Sequence, residues 1–123
     1  MEEFKRFRAR MNERILRSGN LQIQRFFNLD ARAYEAGALS SKVKELLGLV
    51  ASLVLRCEDC VTYHVLRCVE EKVTDEEFFE AFNVALVEGG SITIPHLRRA
   101  VKRLEEARGL RKRKGANALS MRI

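Results

Sequence analysis

An all-helical fold follows from three features of the 123-residue chain. Apolar residues recur every three to four positions along most of its length, the period that lines one face of a helix. Its one proline, Pro95, stands where a helix is expected to start. The helix formers Leu, Ala, Glu, Arg and Lys dominate the remainder. Hydrophobic residues make up 46% and charged residues 33%, a balance that suits a packed core and not a disordered chain. The expectation is a single-domain bundle of about six helices over residues 1–107, with a basic C-terminal tail over 108–123.

Each helix has its own signal. Glu2 to Arg17 carries an apolar stripe of Phe4, Phe7, Met11, Ile15 and Leu16, broken by Ser18-Gly19-Asn20. Leu21 to Ala36 offers Ile23, Phe26, Phe27, Leu29 and Tyr34 to a core, with Gly37 as its cap. Ser40 or Ser41 caps a third helix bearing Val43, Leu46, Leu47, Val50, Leu53 and Val54. A fourth runs from Arg56 to Glu71. Thr74 and Glu77 form a capping-box pattern before a fifth helix with Phe78, Phe79, Phe82, Ala85, Leu86 and Val87, which ends at Gly89-Gly90. Ser91 or Thr93 caps the last, whose buried stripe is Leu97, Ala100, Val101 and Leu104.

The chemistry concentrates in Cys57-x-x-Cys60-x-x-x-His64, with Glu45 twelve residues before the first thiol. Two cysteines at this spacing can close into a disulfide at the first turn of a helix, where free N–H groups and the dipole favour a thiolate. His64 lies one turn beyond Cys60 on the same face, a base beside a thiol. A second thiol that can close on the first completes the minimum equipment for thiol-disulfide chemistry. Zinc is a weaker reading. On one helix Cys57 and His64 are about 10 Å apart along the axis, and Cys57 and Cys68 about 16 Å. No second C-x-x-C exists to complete a tetrahedral site. Cys68 reads as a packing residue, His96 as a surface or packing residue, and Glu45 either as an exposed first-turn carboxylate or as a buried, hydrogen-bonded one.

The net charge of +6 resides in the tail. Arg108, Arg111, Lys112, Arg113, Lys114 and Arg122 leave 17 basic and 17 acidic residues in 1–107. Nucleic-acid binding is therefore not expected, although Arg98, Arg99, Lys102 and Arg103 could make the last helix a basic recognition helix. The longest apolar run, Leu46 to Leu55, is too short for a membrane span. The N-terminus lacks the apolar segment of a secretory signal, so a cytoplasmic location is expected.

From about Phe26 to Leu104 the chain resembles the carboxymuconolactone decarboxylase superfamily, in particular its alkylhydroperoxidase D-like branch. The resemblance rests on Tyr34-Glu-Ala-Gly-Ala-Leu39, Lys44-Glu-Leu46, Cys57-Glu-Asp-Cys60-Val-Thr-Tyr-His64, Val73-Thr-Asp-Glu-Glu77, Ala81-x-x-x-Ala85 and Gly89-Gly90. Its specific part is the Glu45–Cys57–Cys60–His64 spacing. It implies an all-helical fold in which the Glu and His meet the Cys pair, and assembly into a homotrimer or homohexamer. It also implies reduction of hydroperoxides, or transfer of electrons to a peroxidase such as a peroxiredoxin from a lipoamide-like dithiol or lipoyl protein. No bound cofactor or metal is implied. Some members carry a histidine directly before the second cysteine; here Asp59 stands there, so that relay cannot be transferred. Decarboxylase members lack the cysteine pair, which sets the lactone reaction aside.

The implied roles are Cys60 as attacking thiol, His64 as its base, Glu45 as orienting or relaying group, and Cys57 as resolving thiol. Helix-terminus electrostatics alone would favour Cys57 as the more acidic thiol. Two other classes stay open on the residues: a helical nucleic-acid-binding protein, and a purely structural oligomer whose thiols only pack. Seven phenylalanines are also more than one thin layer of helices can hide, which points to oligomer formation.

Overall fold

Six α-helices make up most of the protein, whose computed structural model describes residues 1–109. They are α1 (Glu2–Leu16), α2 (Leu21–Ala33), α3 (Ser41–Leu55), α4 (Glu58–Glu70), α5 (Asp75–Gly89) and α6 (Ile94–Arg108), with one 3-10 turn at Ser91–Thr93. No strand occurs among the described residues, so the all-α bundle expected from the apolar period is the observed architecture. The chain divides into two units, residues 1–44 and a second that begins at Glu45; α3 starts in the first and continues through the second.

In the first unit, Gly19 adopts a positive φ of 75° and Asn20 accepts the Ile23 N–H at 3.1 Å to start α2. That helix stops at Ala33, three residues before the end its composition suggests. The Lys44 ammonium takes the Ala33 and Glu35 carbonyls at 2.9 and 2.6 Å, and the Ser41 hydroxyl takes that of Tyr34 at 3.1 Å. These donors satisfy the terminal carbonyls that further turns would have used, so Gly37 does not cap the helix. Ser40, not Ser41, accepts the Val43 N–H at 3.1 Å and opens α3. The stripes expected to be core on α1 and α2 are not: neither helix contains a buried residue, and Phe7 and Phe26 are mostly exposed.

The second unit holds the core. Leu49 and Leu53 of α3, Val61 and Val65 of α4, Phe78 and Phe82 of α5, and Ala100 and Leu104 of α6 are essentially solvent-free. On α3 the buried face runs through Glu45, Gly48, Leu49, Ser52 and Leu53, whereas Val43 and Leu47, expected inside, are exposed. That helix is apolar nearly all round, so periodicity could not select its inner face. On α5, Phe79 and Val87 likewise face out while Phe78, Phe82 and Ala85 face in.

Two helix ends in this unit share one construction. At the end of α3, Arg56 takes φ 59°, its N–H bonds Leu53 O at 3.1 Å, and the Cys57 N–H bonds Ser52 O at 3.1 Å. At the end of α4, Lys72 takes φ 64°, its N–H bonds Val69 O at 3.0 Å, and the Val73 N–H bonds Cys68 O at 3.0 Å. Both are Schellman caps, with a charged residue at the left-handed position that glycine usually fills. The capping box of α5 forms as expected, Thr74 Oγ1 accepting from Glu77 N at 3.1 Å and Glu77 accepting from Thr74 N at 2.9 Å.

At the start of α6 neither Ser91 nor Thr93 caps as expected. Thr93 is buried inside the 3-10 turn and makes no capping bond. A Cβ on Gly89 would overlap its hydroxyl, so the small residue at the end of α5 admits this turn. Arg108 closes α6 by donating to Val73 O at 2.7 Å and pairing with Asp75 at 3.0 Å. The expected basic tail beyond Gly109 lies outside the described residues. No helix among the described residues is long and apolar enough to cross a membrane.

Candidate functional site

Cys57 owes its position to the corner between α3 and α4. Its N–H completes the cap of α3, and its backbone, at φ −96° and ψ 103°, is extended as an N-cap residue requires. Its sulfur accepts the Cys60 N–H at 3.3 Å, taking the place of the usual Ser or Asp oxygen at the start of α4. Cys57 and Cys60 are joined by a disulfide, with Cα atoms 5.3 Å apart. Cys60 is exposed and Cys57 half-buried. The pair therefore sits at a helix N-terminus, where unpaired N–H groups and the helix dipole stabilise negative charge.

Glu45, on α3, is only 1% exposed, which settles its two sequence readings in favour of the buried one. A carboxylate removed from water costs several kcal/mol unless charged and hydrogen-bonding partners replace the solvent. Glu45 has both. Oε1 is 2.9 Å from Nδ1 of His64, and Oε2 is 3.4 Å from Nε of Arg67. A carboxylate cannot donate, so the imidazole donates from Nδ1, which makes Nε2 the basic nitrogen of the ring. Arg67 extends the network to Glu71 at 3.0 Å. His64 is buried, and on α4 it follows Cys60 by one turn, about 6 Å along the axis. The resemblance implied that Glu45 and His64 meet the cysteine pair; the structure joins Glu45 to His64 by a hydrogen bond and Cys57 to Cys60 by a disulfide.

Cys68 is the remaining cysteine, free and buried as expected of a packing residue. Burial, reinforced by the nearby Glu45 charge, pushes its thiol up to about 12. Among the described residues no group of three or more His, Cys, Asp or Glu side chains is arranged to hold a metal ion.

Three neighbours of the site escaped the sequence reading. Arg67 lies three residues after His64, so helical spacing alone could have placed it on the same face. Glu58 and Arg99 gave no such signal. Packing of α4 on α6 brings the Glu58 carboxylate to His96 and to Arg99 Nε, the latter at 3.0 Å. His96 is thus a half-buried packing residue with an acidic partner.

A helical protein with a buried Glu–His pair and a Cys-x-x-Cys disulfide at the start of the histidine's helix is the class that fold and site define together. Residues 23–103 match the sequence profile of the carboxymuconolactone decarboxylase family, and the chain belongs to that family. Its cysteine pair and following histidine agree with the alkylhydroperoxidase D-like branch. A crystal structure from Thermotoga maritima is similar with a TM-score of 0.86 and 56% identity, covering 92% of this chain and 99% of that one. A second from the same organism has a TM-score of 0.83 and 57% identity over 90% and 94% of the two chains. It is described as a family protein with a suggested involvement in antioxidative response. An uncharacterised protein of the cox locus of Paracoccus denitrificans is 29% identical over 84 residues, 68% of this chain and 76% of that protein.

Proposed function

We propose that this protein is a thiol-disulfide oxidoreductase that reduces hydroperoxides or passes electrons to a peroxidase through the Cys57–Cys60 pair. The observation that carries the reading is the Glu45–His64 hydrogen bond, which fixes a base on α4 one turn from Cys60. In the oxidising half-reaction the Cys60 thiolate attacks the distal peroxide oxygen. The O–O bond breaks, the alcohol leaves with a proton, and Cys60 becomes a sulfenic acid. The Cys57 thiol then attacks that sulfur, releasing water and closing the disulfide. An external dithiol of the lipoamide type restores both thiols by two exchange steps and is itself oxidised to a disulfide. His64 takes the thiol proton through Nε2, and Glu45 holds the ring and stabilises its protonated form.

The exposure of Cys60 supports it as the thiol that meets substrate. The Cys60 N–H directed at Cys57 supports Cys57 as the better leaving thiolate when the disulfide is reduced. A homotrimer or homohexamer is part of the same proposal, supported by the uncovered apolar side chains of α1 and α2.

The test is peroxide titration of the reduced protein, read by mass spectrometry. Cys60→Ser is expected to abolish turnover, Cys57→Ser to leave a trappable sulfenic acid on Cys60, and His64→Ala to slow oxidation about tenfold. A fast Cys57 in the Cys60→Ser variant beside an inert Cys60 in Cys57→Ser would reverse the order of attack. Thiol reactivity unchanged in every variant would reduce the cysteines to packing.

A further inference from the structure

Glu58 stands between the two cysteines, adjacent to Cys57 and two residues before Cys60, yet its side chain points away to another helix. There it is held by the His96 ring and by Arg99 of α6, across 38 residues of sequence in the case of His96. Burial works against the charged form of Glu58, but the hydrogen bonds from His96 and Arg99 outweigh it and hold the carboxyl below its ordinary range. The residue is therefore a fixed negative charge beside the disulfide, and α6 supplies its counter-charge.

A thiolate at a helix N-terminus is favoured by the dipole and disfavoured by nearby negative charge. The charged and titratable groups at this end of α4 come from four places. Arg56 belongs to the preceding corner, and Glu58 and Asp59 to the first turn. His64 lies one turn on, backed by Glu45 of α3, and His96 and Arg99 belong to α6. Glu58 is covalently next to one sulfur-bearing residue, so whether its charge is compensated bears directly on both thiols.

We propose that Glu58, clamped by His96 and Arg99, is a positioning residue that docks the Cys57–Cys60 turn on α6 and keeps its own charge from opposing the thiolate. This rests on the dithiol reading above. Without Arg99 the carboxylate acts on the sulfurs with less compensation. Without the carboxylate, the Arg99 charge acts on them instead. The two losses push thiol reactivity in opposite directions, whereas loss of a merely structural tie pushes both the same way.

The experiment measures iodoacetamide alkylation of Cys57 and Cys60 in the reduced full chain across pH, resolved by mass spectrometry. Glu58→Gln is expected to raise the rate at pH 7 by about threefold or more and to move the midpoint of the pH profile down. Arg99→Gln is expected to lower the rate by a similar factor and move the midpoint up, Arg99→Lys to restore it, and the double variant to fall between the two single ones. Single variants that shift the same way, or an Arg99→Lys protein indistinguishable from Arg99→Gln, overturn the inference. If the unaltered protein cycles with dithiothreitol and hydroperoxide while the variants shift together, the inference alone falls. If its disulfide is neither reduced by dithiothreitol nor re-formed by hydroperoxide, the dithiol reading falls and takes the inference with it.

Discussion

Glu45 is held by His64 and Arg67; removing it leaves the buried His64 Nδ1–H without its acceptor, while Arg67 keeps its pairs with Glu70 and Glu71. An orphaned buried donor costs about 1–3 kcal/mol, so Glu45→Ala is expected to lower stability by that order in urea unfolding. Glu45→Gln keeps an acceptor for His64 and is expected to cost less. Cys68 makes the opposite kind of prediction. With its thiol pushed up to about 12 by burial, it remains protonated where an ordinary thiol ionises. The folded, reduced protein should therefore add two alkyl groups at neutral pH, and the third only on unfolding. The sign of the linked pH dependence follows. Its contribution is complete below the unfolded thiol pKa and disappears as pH rises from there through about 12, because the native state then binds the extra proton. Cys68→Val should flatten stability across that alkaline window, as followed by denaturant midpoints at successive pH values. The His64–Cys60 relation was readable as an i,i+4 spacing, and the Glu45 carboxylate, 19 residues from His64 on another helix, only through the family resemblance. The acidic partner of His96 was not, since only the packing of α4 on α6 creates it.

Helix ends show the same division between local and distant causes. The capping box at Thr74 and the turn at Asn20 were readable because donor and acceptor lie three residues apart. The early end of α2 was not, because its carbonyls are satisfied by Lys44, nine and eleven residues away. The inner face of α3 was hidden by an excess of apolar residues, and the partners of Glu45 decide it. Thr74→Ala is expected to cost about 1 kcal/mol through loss of the cap. Lys72 tests the left-handed corners. An L-residue there costs roughly 1–2 kcal/mol, while glycine adds about 0.5–1 kcal/mol of unfolded-chain entropy. Lys72→Gly should thus raise stability by roughly 0.5–1 kcal/mol, seen as a higher denaturant midpoint with an unchanged slope.

The six-helix architecture was legible because period and composition agree over nearly the whole chain, but the depth of burial was not. Phe26 at 67% exposure and Val87 at 80% belong to stripes that read as core. A periodic pattern reports that a face is apolar and is silent on whether the same chain or another copy covers it. Self-association is the expected answer here. Light scattering at micromolar concentration should return a multiple of 14.2 kDa, and charged substitutions at Phe26 and Val87 should lower it without altering the helical circular-dichroism spectrum. A 14.2 kDa particle would show that these faces remain in water.

Cys57 ends one helix and begins the next, with its N–H on Ser52 O and its sulfur on the Cys60 N–H. Linkage makes this double duty reciprocal: a corner that holds the two sulfurs together raises their effective concentration for bond closure, and the closed bond resists opening of the corner by the same factor. The redox state of the pair is thereby written into backbone kinetics. In reductant, the amides of Cys57 and Cys60 should exchange with deuterium faster than in the oxidised protein, while those of Leu49 and Val65 in the core keep one rate. Two electrons would then act as a latch on local opening, with the rest of the bundle unaware of the change.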